Sequence, residues 1–146
     1  MIKYNLRPYI EDDLEFVYQT KIEAFKNYVE KFWGAWAEEK RRSFFAAFIK
    51  KVQDSLLIIE HEGKAIGIYH GNLMDHDTYE IGDIIIVPNY QGNGIGSDIL
   101  TKVIKDNPKL KMHLRVFKGN PAINLYKRLG FVVVEETRTH LIMDRK

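Results

Sequence analysis

The stretch from residue 79 to residue 105 constrains the fold of this chain most. It begins with an isoleucine-rich run, in which β-branched side chains favour a strand, and Pro88 then removes the N–H that would continue a ladder. A glycine-rich turn follows at residues 91–97, and apolar residues recur at helical spacing from Ile95 onward. The stretch therefore predicts a strand, a tight glycine turn and a helix, in that order.

The glycine turn is suited to holding a phosphate group. Gly92, Gly94 and Gly96 have no Cβ, so the backbone can turn tightly and direct successive N–H groups outward at the start of a helix. Those unpaired donors and the helix dipole favour a diphosphate without any cationic side chain. The dinucleotide pattern G-x-G-x-x-G fails at Ser97, and a Walker Gly-Lys-Ser/Thr sequence is absent. A phosphate-bearing cofactor is the predicted occupant, and an ordinary tight turn is the alternative.

Two ordered segments resemble the GNAT superfamily of N-acetyltransferases. The first is Gln91-x-x-Gly94-x-Gly96 after a strand ending in Val-Pro, which resembles the motif that binds the diphosphate of acetyl-CoA. The second, residues 120–131, resembles the family's tyrosine-bearing helix, with Tyr126 as the tyrosine. The resemblance covers the whole chain. It implies an α/β (α+β) GNAT fold, with a mixed, mostly antiparallel sheet of about seven strands flanked by four helices.

The pattern of apolar and turn residues predicts the element order β-α-α-β-β-β-α-β-α-β-β. Helix two is expected at about residues 37–52, with Phe44, Phe48 and Val52 as its apolar face and the charges of residues 38–42 in solvent. An aromatic-rich connection, residues 26–36, is expected before it. The other expected segments are strands at residues 2–8, 56–61, 64–73, 112–117, 131–134 and 140–143, a first helix from residue 11, and a helix at residues 121–129.

Composition narrows the class of protein further. A chain of 146 residues with 45% apolar residues is expected to form one domain, residues 1–146. A formal net charge of +2 does not favour nucleic acid as a partner. The chain has no cysteine, its five histidines are scattered, and it has no run of apolar residues long enough for a membrane span. We therefore expect no metal, no membrane partner and a cytoplasmic location. The oligomeric state stays open, a homodimer included.

The resemblance implies an acyltransferase that transfers groups other than aminoacyl groups, with acetyl-CoA as donor. The acceptor would be a primary amine of a small molecule or peptide, acetylated by direct transfer. Tyr126 is then the general acid, because a phenol of pKa about 10 can protonate a thiolate of pKa about 8.5. A core aromatic is the alternative. Glu80 is either the general base, acting through water, or a solvated strand residue, and Asp83 is the weaker choice of base.

The resemblance also implies which residues contact the two substrates. The N–H of Ile84 would face the acetyl carbonyl, and Ile86 and Val87 would hold the pantetheine arm. The predicted cofactor-binding residues are Ile84, Ile86, Val87, Gln91, Gly92, Asn93, Gly94, Ile95, Gly96, Ser97, Asn120, Ala122 and Tyr126. The predicted acceptor-binding residues are Tyr28, Glu30, Trp33 and Trp36, with the turn at residues 136–139. Packing of both tryptophans between the helices is the alternative.

A second function class remains open after this reasoning. A chain of this kind could be a non-catalytic acyl-CoA sensor or interaction module that keeps the fold without the chemistry. The presence of both Tyr126 and Glu80 favours the enzyme.

Overall fold

The computed structural model describes residues 2–146, so Met1, the first residue of the expected domain, lies outside the described residues. The strands are β1 Asn5–Pro8, β2 Leu57–His61, β3 Lys64–Leu73, β4 Thr78–Ile86, β5 Lys111–Phe117, β6 Val132–Glu136 and β7 His140–Arg145. The helices are α1 Leu14–Trp33, α2 Glu38–Val52, α3 Ile95–Asp106 and α4 Ala122–Arg128. Short 3-10 turns occur at Glu11–Asp13 and Pro88–Tyr90. The predicted order of strands and helices is confirmed.

The strands form a seven-stranded sheet in the order β1-β2-β3-β4-β5-β7-β6. Pairing is antiparallel between β1 and β2, β2 and β3, β5 and β7, and β6 and β7. Strands β4 and β5 pair in parallel, with Thr78–Glu80 opposite residues 111–113. The predicted fold class, a mixed and mostly antiparallel sheet with four helices, is therefore confirmed. The expectation of a single domain stays a prediction.

The chain divides into two compact units, of which the first comprises residues up to His70 and residues 83–93. In its core, α1 and α2 pack against the apolar side chains of β2 and β3. The buried residues of this cluster are Val17, Tyr18, Phe45, Ile49, Val52, Leu56, Ile58 and Ile68. The tight turn between β2 and β3 is built by Glu62 and Gly63, whose φ angles of 51° and 78° are both left-handed. That geometry is typical of a two-residue hairpin loop.

The second unit comprises residues 71–82 and 94–146. Strand β5 pairs with β7 from Met112 to Phe117, and the opposed Leu114 and Met143 are both buried. The buried face of α3 consists of Ile95, Ile99 and Leu100. These positions have the i, i+4 spacing that predicted the helix.

Two local predictions were wrong. Helix α1 continues through residues 26–33, and the connection to α2 is only residues 34–37, because Val29 prolongs the buried face and Gly34, at a φ of 94°, ends the helix. The buried face of α2 contains Phe45, Ile49 and Val52, whereas Phe44 is 54% exposed.

Among the described residues, none of the helices combines the length and the apolar character that a membrane span needs.

Candidate active site

The last residues of β4 present their main-chain N–H groups alternately to its two edges. The N–H of Val87 donates to the Ile66 carbonyl of β3 at 2.9 Å, and the N–H of Asp83 donates to Nε2 of His70 at 3.1 Å. Because N–H direction alternates along a strand, the N–H groups of Ile84 and Ile86 lie on the edge opposite β3. That these two N–H groups face the acetyl group and the pantetheine arm stays a prediction. The Val87 N–H donates to β3 instead, and a contact of Val87 with the pantetheine arm stays a prediction.

Side chains brace the turn that follows β4. The amide Nε2 of Gln91 donates to the Ile86 carbonyl at 2.7 Å, and Nδ2 of Asn93 donates to the Tyr90 carbonyl at 3.0 Å. Gly92 has a φ of 79°, in the left-handed region that favours glycine. The side-chain N–H groups of the predicted loop residues therefore fix the shape of the turn.

Helix α3 begins directly after this turn. Gly94 occupies the N-cap with a φ of 78°, and its carbonyl accepts the N–H of Asp98 at 2.9 Å. The N–H groups of Ile95, Gly96 and Ser97 precede the first intrahelical bond. Within residues 2–146, no side chain caps this helix. The first turn of α3 therefore presents main-chain donors that the chain itself does not cap.

Helix α4 carries Tyr126 one turn from its end. Oδ1 of Asn120 accepts the N–H of Ala122 at 2.9 Å, which caps the start of the helix. The Tyr126 ring is buried and packs edge-on against Phe131, with ring centroids 6.0 Å apart. Gly130, with a φ of 96°, ends the helix in the left-handed conformation that favours glycine. Burial of the ring is compatible with both the general acid and the core aromatic interpretation.

The two acidic residues proposed from β4 have different surroundings. Glu80 is half-buried and lies opposite His113 in the parallel pairing of β4 with β5. In the described part of the chain, the Glu80 carboxylate forms no hydrogen bond or ion pair with another residue. Asp83, in contrast, accepts a hydrogen bond from Nζ of Lys21 at 2.7 Å, and its Oδ2 lies 3.3 Å from Nε2 of His70.

The charge of Lys21 determines the protonation of Asp83. Burial by itself would raise the pKa of the Asp83 carboxyl, but the positive charge of Lys21 and the contact with His70 outweigh burial and hold that pKa well below its usual value. Nζ of Lys21 also lies 3.4 Å from the centre of the Phe48 ring. A carboxylate whose pKa is lowered in this way is a weak base, so this geometry favours Glu80 over Asp83 as the base.

The predicted acceptor residues are not gathered in one loop. Tyr28, Glu30 and Trp33 lie on α1, and Trp36 lies in the connection to α2. The Trp33 ring is 51% exposed, so the interpretation that it packs between the helices was wrong. Nε1 of Trp36 donates to Oε2 of Glu38 at 2.8 Å, which anchors this ring at the start of α2.

Two cavities of the first unit are lined in part by predicted site residues. A cavity of about 60 Å³ lies between α1 and the end of β4, and Ile86, Val87 and Gln91 line it together. A larger groove of about 210 Å³ is lined by residues of α1, α2 and their connection. Its lining residues are Tyr18, Lys21, Ile22, Phe25, Val29, Trp36, Arg41, Phe44, Phe45 and Phe48.

Histidines and acidic residues in the described chain offer little for a metal ion. The cluster of Asp75, His76 and Asp77 has its ligand atoms within 4.8 Å of one another, but all three side chains are exposed. Oδ1 of Asp75 accepts the N–H groups of Asp77 and Thr78, as in a turn. His140 stacks on Phe117 at 4.4 Å between ring centroids. These roles are structural, and the absence of a metal stays a prediction.

Sequence reasoning missed two features of this region. The pairing of Lys21 with Asp83 joins residues 62 positions apart, which no local pattern reveals. Arg41 belongs to the charge run assigned to solvent, yet its Nε is buried and has no partner among residues 2–146. The signal available in the sequence was that Arg41 stands between Trp36 and Phe44, whose rings its guanidinium approaches at 5.6 and 5.4 Å.

Comparison with known proteins agrees with this architecture. A sequence model of the acetyltransferase (GNAT) family matches residues 17–131, well over half of the chain. The chain therefore belongs to the GNAT acetyltransferase family. An uncharacterized N-acetyltransferase of Methanocaldococcus jannaschii is 27% identical over 158 residues, which cover 98% of this chain and 67% of that protein.

Solved structures share the fold at low sequence identity. The PaiA N-acetyltransferase of Thermoplasma acidophilum, solved in complex with coenzyme A, has a TM-score of 0.72 at 20% identity, covering 99% of each chain. Arabidopsis thaliana Naa50, in complex with a bisubstrate analogue CoA-Ac-MVNAL, has a TM-score of 0.66 at 15% identity, again covering 99% of each chain. At these identities the likeness concerns the fold alone.

Proposed function

We propose that this protein is an acetyl-CoA-dependent N-acetyltransferase that acetylates a primary amine of a small molecule or peptide by direct transfer. Membership of the GNAT family gives the class of enzyme, and the roles of individual residues are part of the proposal. The observation that carries the proposal is the start of α3. There, main-chain N–H groups follow a left-handed Gly94 and have no side-chain cap in the described chain.

The residues at this position fit a diphosphate. Donors at a helix start combine with the positive end of the helix dipole, which favours an anion. A Cβ added at Gly92 would have no other atom within 4 Å, so the space beside the turn is open. In this proposal the N–H groups of Ile95, Gly96 and Ser97 bind the diphosphate of acetyl-CoA. Asn93 shapes the turn, and Asn120 and Ala122 form the start of the tyrosine helix.

Acetyl-CoA supplies an activated thioester, so the protein has to align the amine with the thioester, polarise the acetyl carbonyl and transfer protons. The N–H of Ile84 donates to the acetyl carbonyl oxygen, and the N–H of Ile86 donates to the pantetheine arm. The amine nitrogen forms the new bond to the carbonyl carbon as the carbon–sulfur bond breaks. Glu80, through water, takes the proton that the amine loses, and the Tyr126 hydroxyl gives a proton to the departing sulfur.

A free-thiol assay with acetyl-CoA and a panel of primary amines tests this proposal. The expected result is amine-dependent release of CoA, with the acetylated amine identified by mass spectrometry. Binding of CoA without transfer to any amine would instead favour the acyl-CoA sensor. Absence of both CoA binding and thiol release would contradict the two functions together.

A further inference from the structure

The groove of about 210 Å³ between α1 and α2 combines an apolar wall with two cationic side chains. Eight of its ten lining residues are aromatic or aliphatic, the other two are Lys21 and Arg41, and among the described residues none of the lining side chains is acidic. Its volume is below the roughly 300–1,000 Å³ typical of drug-sized ligands. The groove therefore suits one ring or a short apolar chain.

The two cations are not equivalent. Lys21 is neutralised by Asp83 at 2.7 Å. Arg41 has no acidic partner within residues 2–146, and its guanidinium lies against the rings of Trp36 and Phe44. Its buried Nε is desolvated without a compensating hydrogen bond, which strengthens the attraction of this guanidinium for an anion. The groove thus offers one unneutralised charge, and that charge is positive.

Acidic residues near the groove are already engaged. Glu38 accepts hydrogen bonds from the Tyr18 hydroxyl at 2.8 Å and from Nε1 of Trp36 at 2.8 Å. Its carboxylate also lies 3.4 Å from Nε of Arg42. These bonds use the O–H of Tyr18 and the indole N–H of Trp36, so neither group has a donor left for an incoming ligand. A ligand with an apolar body and a carboxylate complements this surface, whereas an ammonium group there would be repelled by Arg41.

We propose that the groove binds the apolar, carboxylate-bearing part of the amine acceptor, with the carboxylate on Arg41. This proposal rests on the proposed function. The position of the groove supports this proposal. Lys21, which lines the groove, donates to Asp83, and Asp83 directly precedes Ile84 in β4. An acceptor seated in the groove would therefore lie beside the strand to which the acetyl carbonyl is assigned.

Calorimetry with three matched amines tests binding separately from catalysis. The probes are 4-(aminomethyl)benzoate, 4-methylbenzylamine and 1,4-bis(aminomethyl)benzene, which share a ring and a primary amine. The carboxylate is expected to bind at least about tenfold more tightly than the other two, the gain of a charge-assisted hydrogen bond. The proposal would be overturned if 4-methylbenzylamine or 1,4-bis(aminomethyl)benzene bound as tightly as 4-(aminomethyl)benzoate, or more tightly.

Substitution of Arg41 locates the binding. Arg41→Met should remove the preference for the carboxylate, and Arg41→Lys should retain part of it. Lys51→Met, which removes one positive charge from an exposed position of the same helix, should change nothing. Arg41→Met should change the unfolding temperature little, because it leaves no hydrogen-bond partner unpaired and loses only the contacts of the guanidinium with the Trp36 and Phe44 rings. Equal effects of Arg41→Met and Lys51→Met would refute the assignment.

Transfer assays with the same probes separate this inference from the proposed function. The carboxylate should have at least about tenfold higher kcat/KM than 4-methylbenzylamine, and Arg41→Met should remove that advantage mainly through KM. Acetylation of other amines but not of the bound carboxylate would overturn the acceptor assignment alone. Failure of every amine together with failure of CoA binding would overturn the transferase proposal, while the calorimetry would still decide what the groove binds.

Discussion

The ion pair between Lys21 and Asp83 should make a large, measurable contribution to stability. The two groups are 2.7 Å apart, and their side chains are only 21% and 19% exposed. At an effective dielectric constant of about 20 the attraction is about 6 kcal/mol before desolvation is counted. Loss of one partner from a fully buried pair costs about 3–5 kcal/mol. The remaining exposure lowers our expectation to about 2–3 kcal/mol for Asp83→Asn at pH 7.

A double-mutant cycle measured by urea unfolding isolates the pair. Asp83→Asn and Lys21→Met should each destabilise the protein. The double variant should lose at least about 1 kcal/mol less than the sum of the single variants, because neither charge is then left unpaired. Asp54→Asn, at an exposed position of the same unit, serves as the control and should stay within about 0.5 kcal/mol of the parent. Additive single effects would refute the proposed coupling.

The pH dependence of the Asp83→Asn effect gives an independent check. Because the pKa of Asp83 is lowered in the folded protein, the stabilisation is complete above the unfolded pKa of about 3.9 and is lost as pH falls from there toward the folded value. The cost of Asp83→Asn should therefore be smaller at pH 3 than at pH 7. A cost that is equal at both pH values would contradict this account of the carboxylate.

Three further variants test other parts of the structure. Tyr126→Phe should lower kcat by about 10²-fold or more and change CoA affinity little; weaker CoA binding with unchanged turnover would contradict the general acid role. Gly67→Ala should lower the free energy of unfolding by about 1–3 kcal/mol, since the new Cβ would lie 2.4 Å from the Ile85 carbonyl oxygen. An unchanged urea midpoint would show that β4 moves away without a cost in stability. Burial and the charge of Arg115 lower the pKa of His140. The stability of the folded protein should therefore fall as pH drops below the unfolded pKa of about 6.5. His140→Phe should flatten that pH dependence, measured by urea unfolding at pH 7.5 and 5.5.

The elements that the sequence predicted well are those specified by local chemistry. The left-handed pair Glu62 and Gly63 forms a hairpin turn between the strands expected at residues 56–61 and 64–73. Strand β4 stops just before Pro88, and α4 starts at the cap supplied by Asn120. Each of these features depends on residues within a few positions of one another. A single sequence therefore contains enough information to place them.

The features that escaped prediction depend on tertiary contacts. In α2, Phe44 and Phe45 each begin an apolar stripe, and the packing of Phe45 against Tyr18, at 4.8 Å between ring centroids, decides which stripe is buried. The neutralisation of Lys21 by Asp83 and the lone charge of Arg41 likewise appear only when α1, α2 and β4 are brought together. Sequence periodicity does not contain this information.

The central claim is that main-chain N–H groups at the start of α3 bind the diphosphate of CoA. Calorimetric titration with CoA and with pantetheine, which lacks the diphosphate, tests that claim most directly. We predict measurable binding of CoA, far weaker binding of pantetheine, and a loss of that difference when Gly94, at a φ of 78°, is replaced by valine. Equal affinity for the two compounds, or no binding of CoA, would contradict the claim.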